Sequence, residues 1–395
     1  MPYTAPVVSY SATLDGTYTA LTGIQSVGIN RGRRRFQDPF NQTTCVIELI
    51  PANSYTVPLE VGQFVDVRTS NSSSARAFFT GRISDVERSF AIPFNSVTGA
   101  APADRITITV LGAVGTIGQQ GTGGVLGFAG DARRAIQDLT NTVAVHLDND
   151  GVAINQFNDF GVNVTVPADS QEPFLELINS CLRAGVAFMD DIDMQRTPVN
   201  SKNLEVNAYR TSSREWTFSD NTTGSNIFKY TNIKYLSGAE SAFDEVIVSG
   251  TPSLGSTATA NSSNPPPFNT LQQKTLLNTF TVLQNLAQYL IVTQNETEIT
   301  PFVISTNTMV ADGIETKTYM SRGGAGTEWF DQVVGAIVTI NFRGTTVRAL
   351  CEGMSGSFYP DHANFEFYFS PFIGAAFVLD SATLGVLDTN RLGYP

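Results

Sequence analysis

Thr43-Thr44-Cys45-Val46-Ile47-Glu48-Leu49-Ile50 opens the stretch, Thr43 to Val110, around which the chain is organised. It is dense in β-branched residues and stops at Pro51-Ala52-Asn53-Ser54. Val61-Gly62-Gln63-Phe64-Val65-Asp66-Val67-Arg68 follows, with Val65 and Val67 on one face and Asp66 and Arg68 on the other. Alternation of that kind is the mark of a half-buried antiparallel strand. Arg76-Ala77-Phe78-Phe79-Thr80-Gly81-Arg82-Ile83 and Arg105-Ile106-Thr107-Ile108-Thr109-Val110 complete the set. The connections are built from Asn, Ser, Gly and Pro, which accept turn geometry at little cost. The strands read as a small β-barrel with loops at 71–74 and 93–104, and none of them offers a catalytic group.

Around this stretch, 395 residues leave room for two or three domains. Apolar residues are 42%, enough for packed cores, and 33 Gly with 18 Pro imply many turns. The balance of 24 Lys and Arg against 36 Asp and Glu gives a net charge of -12. A nucleic-acid binder concentrates positive charge on one face. Here the dense basic cluster is Arg31-Gly32-Arg33-Arg34-Arg35, which reads as a solvated loop or a contact with an acidic neighbour. Cys45, Cys181 and Cys351 are odd in number and far apart, so they read as small buried hydrophobes. The first ten residues lack the pattern of a signal peptide, and no run of about 18 apolar residues predicts a membrane span.

After the first strands, six glycines between Gly118 and Gly130 read as a hinge rather than a phosphate cradle, because no Gly-Lys-Ser/Thr ending is present. A helix is predicted from Asp131 to Leu139, with Asp131 near its positive end. Val143 to Leu147, holding His146, reads as a strand. A second helix is predicted over Glu172 to Ala184 from the spacing of Phe174, Leu177, Ile178, Cys181 and Leu182, ending at Gly185. Strands Val186 to Met189 and Leu204 to Tyr209 make this a compact α/β insert. Ile227 to Gly250 carries further strands. Ser249 to Gln273 contains no charged residue and reads as an irregular loop. Leu276, Phe280, Leu283, Ala287 and Leu290 predict a helix over Thr275 to Ile291. Val334 to Ile340, Val347 to Gly353 and Phe365 to Ser370 return to β, with Phe365, Phe367 and Phe369 on one core-facing side.

Chemistry is sparse. His146 and His362 leave little for acid-base work, and Gly353-Met354-Ser355-Gly356-Ser357 is not a nucleophile elbow. Asp148-Asn149-Asp150-Gly151 lacks the later ligands of a calcium loop. Asp190, Asp191 and Asp193 read as a solvated acidic turn, and no Cys/His metal spacing occurs. The expectation is a protein that is not an enzyme and binds no cofactor or metal.

The order of the basic run Arg31 to Phe36, the strand Cys45 to Ile50, Val61 to Arg68 and Phe78-Phe79-Thr80-Gly81-Arg82-Ile83 resembles the opening domain of minor tail proteins, or tail-tip hubs, of long-tailed bacteriophages. The helix, Gly, strand, acidic turn and strand of residues 172–209 are similar to the unit that follows in that family. The strands of Ile227 to Gly250 are similar to its re-entry into a second barrel. Leu384-Gly385-Val386-Leu387-Asp388, followed by Arg391-Leu392-Gly393-Tyr394, resembles the closing tail of siphophage minor tail proteins. The matching pieces cover most of 30–250 and 275–395. Residues 249–273 have no counterpart, and the family segment around Thr316 to Gly326 is shortened or diverged.

The resemblance implies a mainly β chain with an α/β insert: two β-barrel, tail-tube-like modules plus a small α/β domain. The expected division is an arm and first barrel at 1–117, an α/β domain at 118–222, a second barrel module at 223–370 and a tail at 371–395. It also implies a tail-tip or baseplate hub in the virion, assembled in the bacterial host cytoplasm. Such a hub is a homotrimer that adapts a six-fold tail to trimeric host-facing parts around a DNA channel. Its implied partners are the distal tail protein, the tape-measure protein and tail fibre or spike proteins, with DNA passing through unread. The competing readings are a receptor-binding module for cell-surface glycan, a distal tail ring protein and, lacking any acid or nucleophile constellation, a cell-wall hydrolase. Phe377, Leu379, Leu384, Leu387, Leu392 and Tyr394 are the expected subunit or partner anchors. Ordering roughly 19 tail residues costs about 1–2 kcal/mol each, which only burial of those side chains offsets.

Overall fold

The computed structural model describes residues 5–13, 16–51, 58–68, 77–90, 104–118, 127–146, 153–155, 159–168, 170–192, 203–209, 215–221, 227–235, 243–262, 269–295, 302–307 and 334–371. A first group of strands comprises β1 (Val7–Ser11), β2 (Thr19–Ala20), β3 (Ile24–Gly32), β4 (Thr44–Leu49), β5 (Phe64–Arg68), β6 (Ala77–Ser89) and β7 (Arg105–Leu111). An α/β unit follows, made of α1 (Ala113–Gly118), β8 (Phe128–Asp131), α2 (Ala132–His146), β9 (Ala153–Asn155), β10 (Asn163–Val166), α3 (Phe174–Gly185), β11 (Ala187–Ile192) and β12 (Asn203–Ala208). The last group holds β13 (Glu215–Ser219), β14 (Ile227–Phe228), β15 (Asn232–Tyr235), β16 (Glu245–Ser249), β17 (Thr257–Asn261), β18 (Thr270–Lys274), α4 (Phe280–Asn295), β19 (Phe302–Asn307), β20 (Ile337–Phe342), β21 (Thr345–Phe358) and β22 (Ala363–Pro371).

The fold is mainly β with an α/β insert, as the sequence implies. Its two β groups are joined as wings of one 14-stranded sheet in the order β14-β13-β20-β21-β3-β4-β7-β6-β5-β1-β2, with β22, β19 and β15 branching from β21. The strand that makes this continuity is β21. Its first part, Thr345 to Leu350, pairs with β20, and its last part, Gly353 to Phe358, pairs with β3. Along the other edge it pairs with β22, and that ladder shifts register between Cys351 and Gly353, at the handover. Alternation decides the faces: Cys45, Ile47 and Leu49 of β4 are buried with Ile106, Ile108 and Val110 of β7, and Phe365, Phe367 and Phe369 of β22 fill the second wing.

Several local expectations need correction. On β5 both faces are covered, so Asp66 and Arg68 do not face solvent; they are buried and pair with each other at 2.8 Å. His146 ends α2 rather than lying in a strand, because the spacing of Ala132, Ala135, Ile136 and Leu139 carries the helix through the β-branched residues. Asp131 caps that helix: its carboxylate accepts the backbone N–H groups of Arg133, Phe160 and Gly161. In α3 the left-handed cap falls on Val186 (φ 46°), one residue beyond the expected stop. Gly185 is small for another reason, since a Cβ there would lie 2.3 Å from the Phe160 ring.

Helix α4 begins at Phe280, not Thr275. Leu276 and Leu277 belong to the connection, where Leu277 bridges Val164 and the Leu276 carbonyl accepts the Thr165 N–H. Phe280 is exposed, and the buried face is Leu283, Leu286, Ala287, Leu290 and Ile291. In the uncharged span 249–273 the described residues, 249–262 and 269–273, are not an irregular loop. They form a 3-10 turn at Pro252–Leu254 and the outer strands of the sheet β17-β16-β18, which packs against α4. Ala258 and Ala260 alternate with exposed Thr257, Thr259 and Asn261, a pattern of small residues too faint to read as a strand.

Candidate functional site

Half of the charge that the sequence places in a solvated basic run, Arg31 and Arg33, lies instead in a buried joint between the two wings and the α/β unit. Residues 31–43 cross this joint after β3. Gly32 adopts φ +75°, and a Cβ on it would lie 2.3 Å from the Glu352 carbonyl; one on Gly353 would lie 2.4 Å from the Arg33 carbonyl. Only glycines let these two backbones approach so closely. The approach is locked by the Arg33 N–H donating to the Glu352 carbonyl at 2.9 Å.

Arg31 and Arg33 are each 4% exposed. Arg31 donates from Nη2 and Nε to Oδ1 of Asp190, at 2.7 and 3.1 Å, and so ties β3 to β11 of the α/β unit. Asp190 is therefore an internal partner, not part of a solvated acidic turn; Asp193 lies outside the described residues. Arg33 donates from Nε to Oε2 of Glu352 at 2.7 Å, and the Tyr209 hydroxyl donates to the same oxygen. The guanidinium of Arg33 also lies 4.7 Å from the centre of the Phe36 ring and 4.3 Å from that of Phe40. Burial works against the Arg33 charge, but Glu352 and Tyr209 together outweigh it and raise the guanidinium pKa. Burial, reinforced by the charge of Glu352, holds the Tyr209 hydroxyl well above the usual phenol value.

Backbone groups close the remaining gaps. The Phe36 N–H donates to Ser370 Oγ on β22 at 3.1 Å. Asn179 of α3 pairs with Phe40 in both directions: Phe40 N–H donates to Oδ1 at 2.9 Å and Nδ2 donates to the Phe40 carbonyl at 3.3 Å. One short segment thus holds β3, β11, α3, β21 and β22 together. Arg35 stands apart, half-buried and paired with Asp38 at 3.5 Å.

The other sequence candidates do not converge. Ser355 sits within β21 opposite Glu366, while His362 lies in the β21–β22 turn, stacked on Tyr359 and 2.7 Å from Asp361. Burial pushes the thiols of Cys45 and Cys181 up, away from reactivity. Among the described residues no group of three or more His, Cys, Asp or Glu is placed to hold a metal. The tail anchors Phe377, Leu379, Leu384, Leu387, Leu392 and Tyr394, and the turn Asp148 to Gly151, lie outside the described residues. Glu352 and Tyr209 were not singled out by sequence. The signal for Glu352 was present: a lone carboxylate within Ala349-Leu350-Cys351-Glu352-Gly353-Met354 demands an internal partner.

No protein-family model and no curated protein matches the chain. Its structure is similar to the 43 kDa tail protein of prophage MuSo2 from Shewanella oneidensis, with a TM-score of 0.58 at 12% identity over 93% of this chain and 98% of that one. It is similar to the tail protein from Neisseria meningitidis MC58 to the same degree, 0.58 at 12% identity, over 93% of this chain and 97% of the other. The likeness is one of fold, and it runs through both wings and the α/β unit together.

Proposed function

We propose that this chain, which has the fold of phage tail proteins, is itself a structural component of a phage tail, placed at the tail tip or baseplate. The observation that carries the reading is the likeness over nearly the whole length of two tail proteins. The buried joint fits it physically. A part that transmits force needs its modules fixed to one another, and paired charges buried between modules resist sliding because any displacement leaves a charge without compensation.

In finer terms, the chain acts as a hub. Three copies, each with two β wings, imitate a six-fold ring; they meet the distal tail and tape-measure proteins on one side and fibre or spike proteins on the other. DNA passes through the centre without sequence reading, and a net charge of -12 favours passage because carboxylates repel phosphates. The role is mechanical rather than catalytic. No described helix is long and apolar enough to cross a membrane.

The glycan-binding alternative needs exposed aromatic platforms. The richest aromatic stripe, Phe365, Phe367 and Phe369, is buried in the core, which favours the hub. The test is mass spectrometry of purified particles followed by cryo-electron microscopy of their tails. Three-fold density with this fold at the tip is the expected result. Six-fold density would transfer the chain to the distal tail ring, and its absence from particles would overturn the reading.

A further inference from the structure

The turn between β20 and β21 carries an arginine where glycine or asparagine is the usual choice. Phe342 pairs with Thr345, so the connection is the two residues Arg343 and Gly344, with φ of 50° and 83°. A side chain at the first of these positions is strained. Arg343 is held there by its backbone N–H, which donates to Asp220 Oδ2 at 2.8 Å, and by the Phe342 ring, 5.0 Å from its guanidinium. Backbone strain kept at an exposed position points to a use for the side chain. Tyr235 of β15 completes this tip of the second wing: its ring is 40% exposed and lies 5.7 Å from that of Phe342. Lys234, which precedes Tyr235, is exposed as well. The tip therefore joins aromatic rings to cations, the composition of a binding hot spot.

The outer face of the first wing is its counterpart. Register places Val46, Thr109 and Asp85 in one row across β4, β7 and β6, and Glu48, Thr107 and Glu87 in the next. Directly paired residues share a face. Three exposed carboxylates thus stand on the face that carries Val46, itself 37% exposed, and one cation, Arg105, lies at the margin. On β3, Gly28 pairs with Val46, and a Cβ there would meet only the Val46 carbonyl, at 3.9 Å. A glycine inside a strand leaves room for another surface to approach closely.

We infer that the tip formed by Tyr235, Phe342 and Arg343 docks on the Val46 face of a second copy of this chain. Tyr235 enters beside Val46, over Gly28, while Lys234 and Arg343 meet Glu48, Asp85 and Glu87. A second copy is the occupant because the two patches match twice over, apolar centre to apolar centre and cationic rim to acidic rim. They lie on different wings, so the contact runs head to tail, and successive copies close into a ring when the rotation allows. This rests on the hub reading, in which copies meet around a ring, and names the surfaces that meet.

Charge exchange in the full chain is the test, with assembly read as mass by sedimentation. The unaltered chain self-associates. Lys234→Glu with Arg343→Glu, and separately Asp85→Lys with Glu87→Lys, each weaken association by at least about tenfold. All four changes in one chain restore it, because the reversed tip again meets a face of opposite sign. Arg343→Gly relieves the turn, so it raises the unfolding midpoint while weakening association; a purely structural arginine would not separate the two. A chain that stays monomeric, association unmoved by either pair of changes, or failure of the fourfold variant to recover overturns the inference. The hub reading fails separately: absence from particles with association through these patches refutes the hub and keeps the interface. A tail-tip trimer indifferent to these changes does the reverse.

Discussion

The joint at Arg31 and Arg33 and the sheet β17-β16-β18 invert the usual relation between charge and exposure. The joint draws on the densest run of basic residues in the chain, yet two of its arginines are buried. The sheet draws on the longest discussed span without a charge, yet half of β17 faces solvent. Charge density does not decide burial; the presence of a fixed partner does. Arg31 and Arg33 each meet a carboxylate from a different module, so the cost of their desolvation is offset only when all modules are assembled. In the small sheet, burial rests on modest apolar side chains against α4, and no long-range partner is required. The first region makes the modules interdependent, whereas the second is a local layer held against α4.

The strongest way to break this contrast is Glu352→Ala. It leaves Arg33 buried without its carboxylate, and the expected loss is about 3–5 kcal/mol in urea or thermal unfolding. If the joint couples the modules, the unfolding transition also broadens or splits as they separate. A single transition at unchanged midpoint would show that the ion pair does not hold them. Replacing Arg33 and Glu352 together by Met and Leu is expected to restore much of the loss, since a well-packed apolar pair costs less than one stranded charge.

Tyr209→Phe sharpens the same comparison by removing a single hydrogen bond to the carboxylate, at a cost of about 2 kcal/mol. It also makes a prediction about pH. The folded chain holds the Tyr209 hydroxyl above its ordinary value of 10.0, chiefly by burial and then by the charge of Glu352. Below that value the phenol keeps its proton in both states and its contribution is complete. Above it the unfolded chain releases the proton more readily than the folded one, so stability falls as pH rises. Tyr209→Phe should flatten that alkaline decline; an unchanged slope between about pH 9 and about pH 11, on either side of the ordinary phenol value, would assign the decline to other groups.

Much of the fold was legible because it rests on strong periodicity. Cys45, Ile47 and Leu49, the helix face of Leu177, Ile178 and Cys181, and the Phe365, Phe367 and Phe369 stripe all occupy the faces that their spacing implies. The joint was not legible, because its partners lie 159 residues apart for Arg31 and Asp190 and 319 apart for Arg33 and Glu352. No local pattern reports such pairing. The start of α4 was misread although Asn278-Thr279 marks it; the Thr279 carbonyl accepts the N–H groups of Val282 and Leu283. The small sheet was missed because alternating Thr and Ala is a weak signal beside Gly, Ser and Pro.

Val248→Ala asks whether that sheet is a packed layer. Val248 is fully buried on β16, and losing two methyl groups is expected to cost about 1.5 kcal/mol. A loosely held loop would show no effect on the unfolding midpoint.

The smallest expected effect on stability falls on the exposed side of β17. Thr257 is solvent-facing, and its side chain makes no contact that burial would protect. Thr257→Lys should therefore change the free energy of unfolding by no more than about 0.5 kcal/mol. That near-neutrality is informative because it separates two roles of one strand. The apolar side of β17 holds it to α4, while nothing among the described residues pairs with its outer edge, where charge is commonly tolerated. A loss several times larger, measured by urea unfolding, would mean that Thr257 is part of the core layer. The contrast with the joint would then fail, since both regions would stand or fall on every residue they contain.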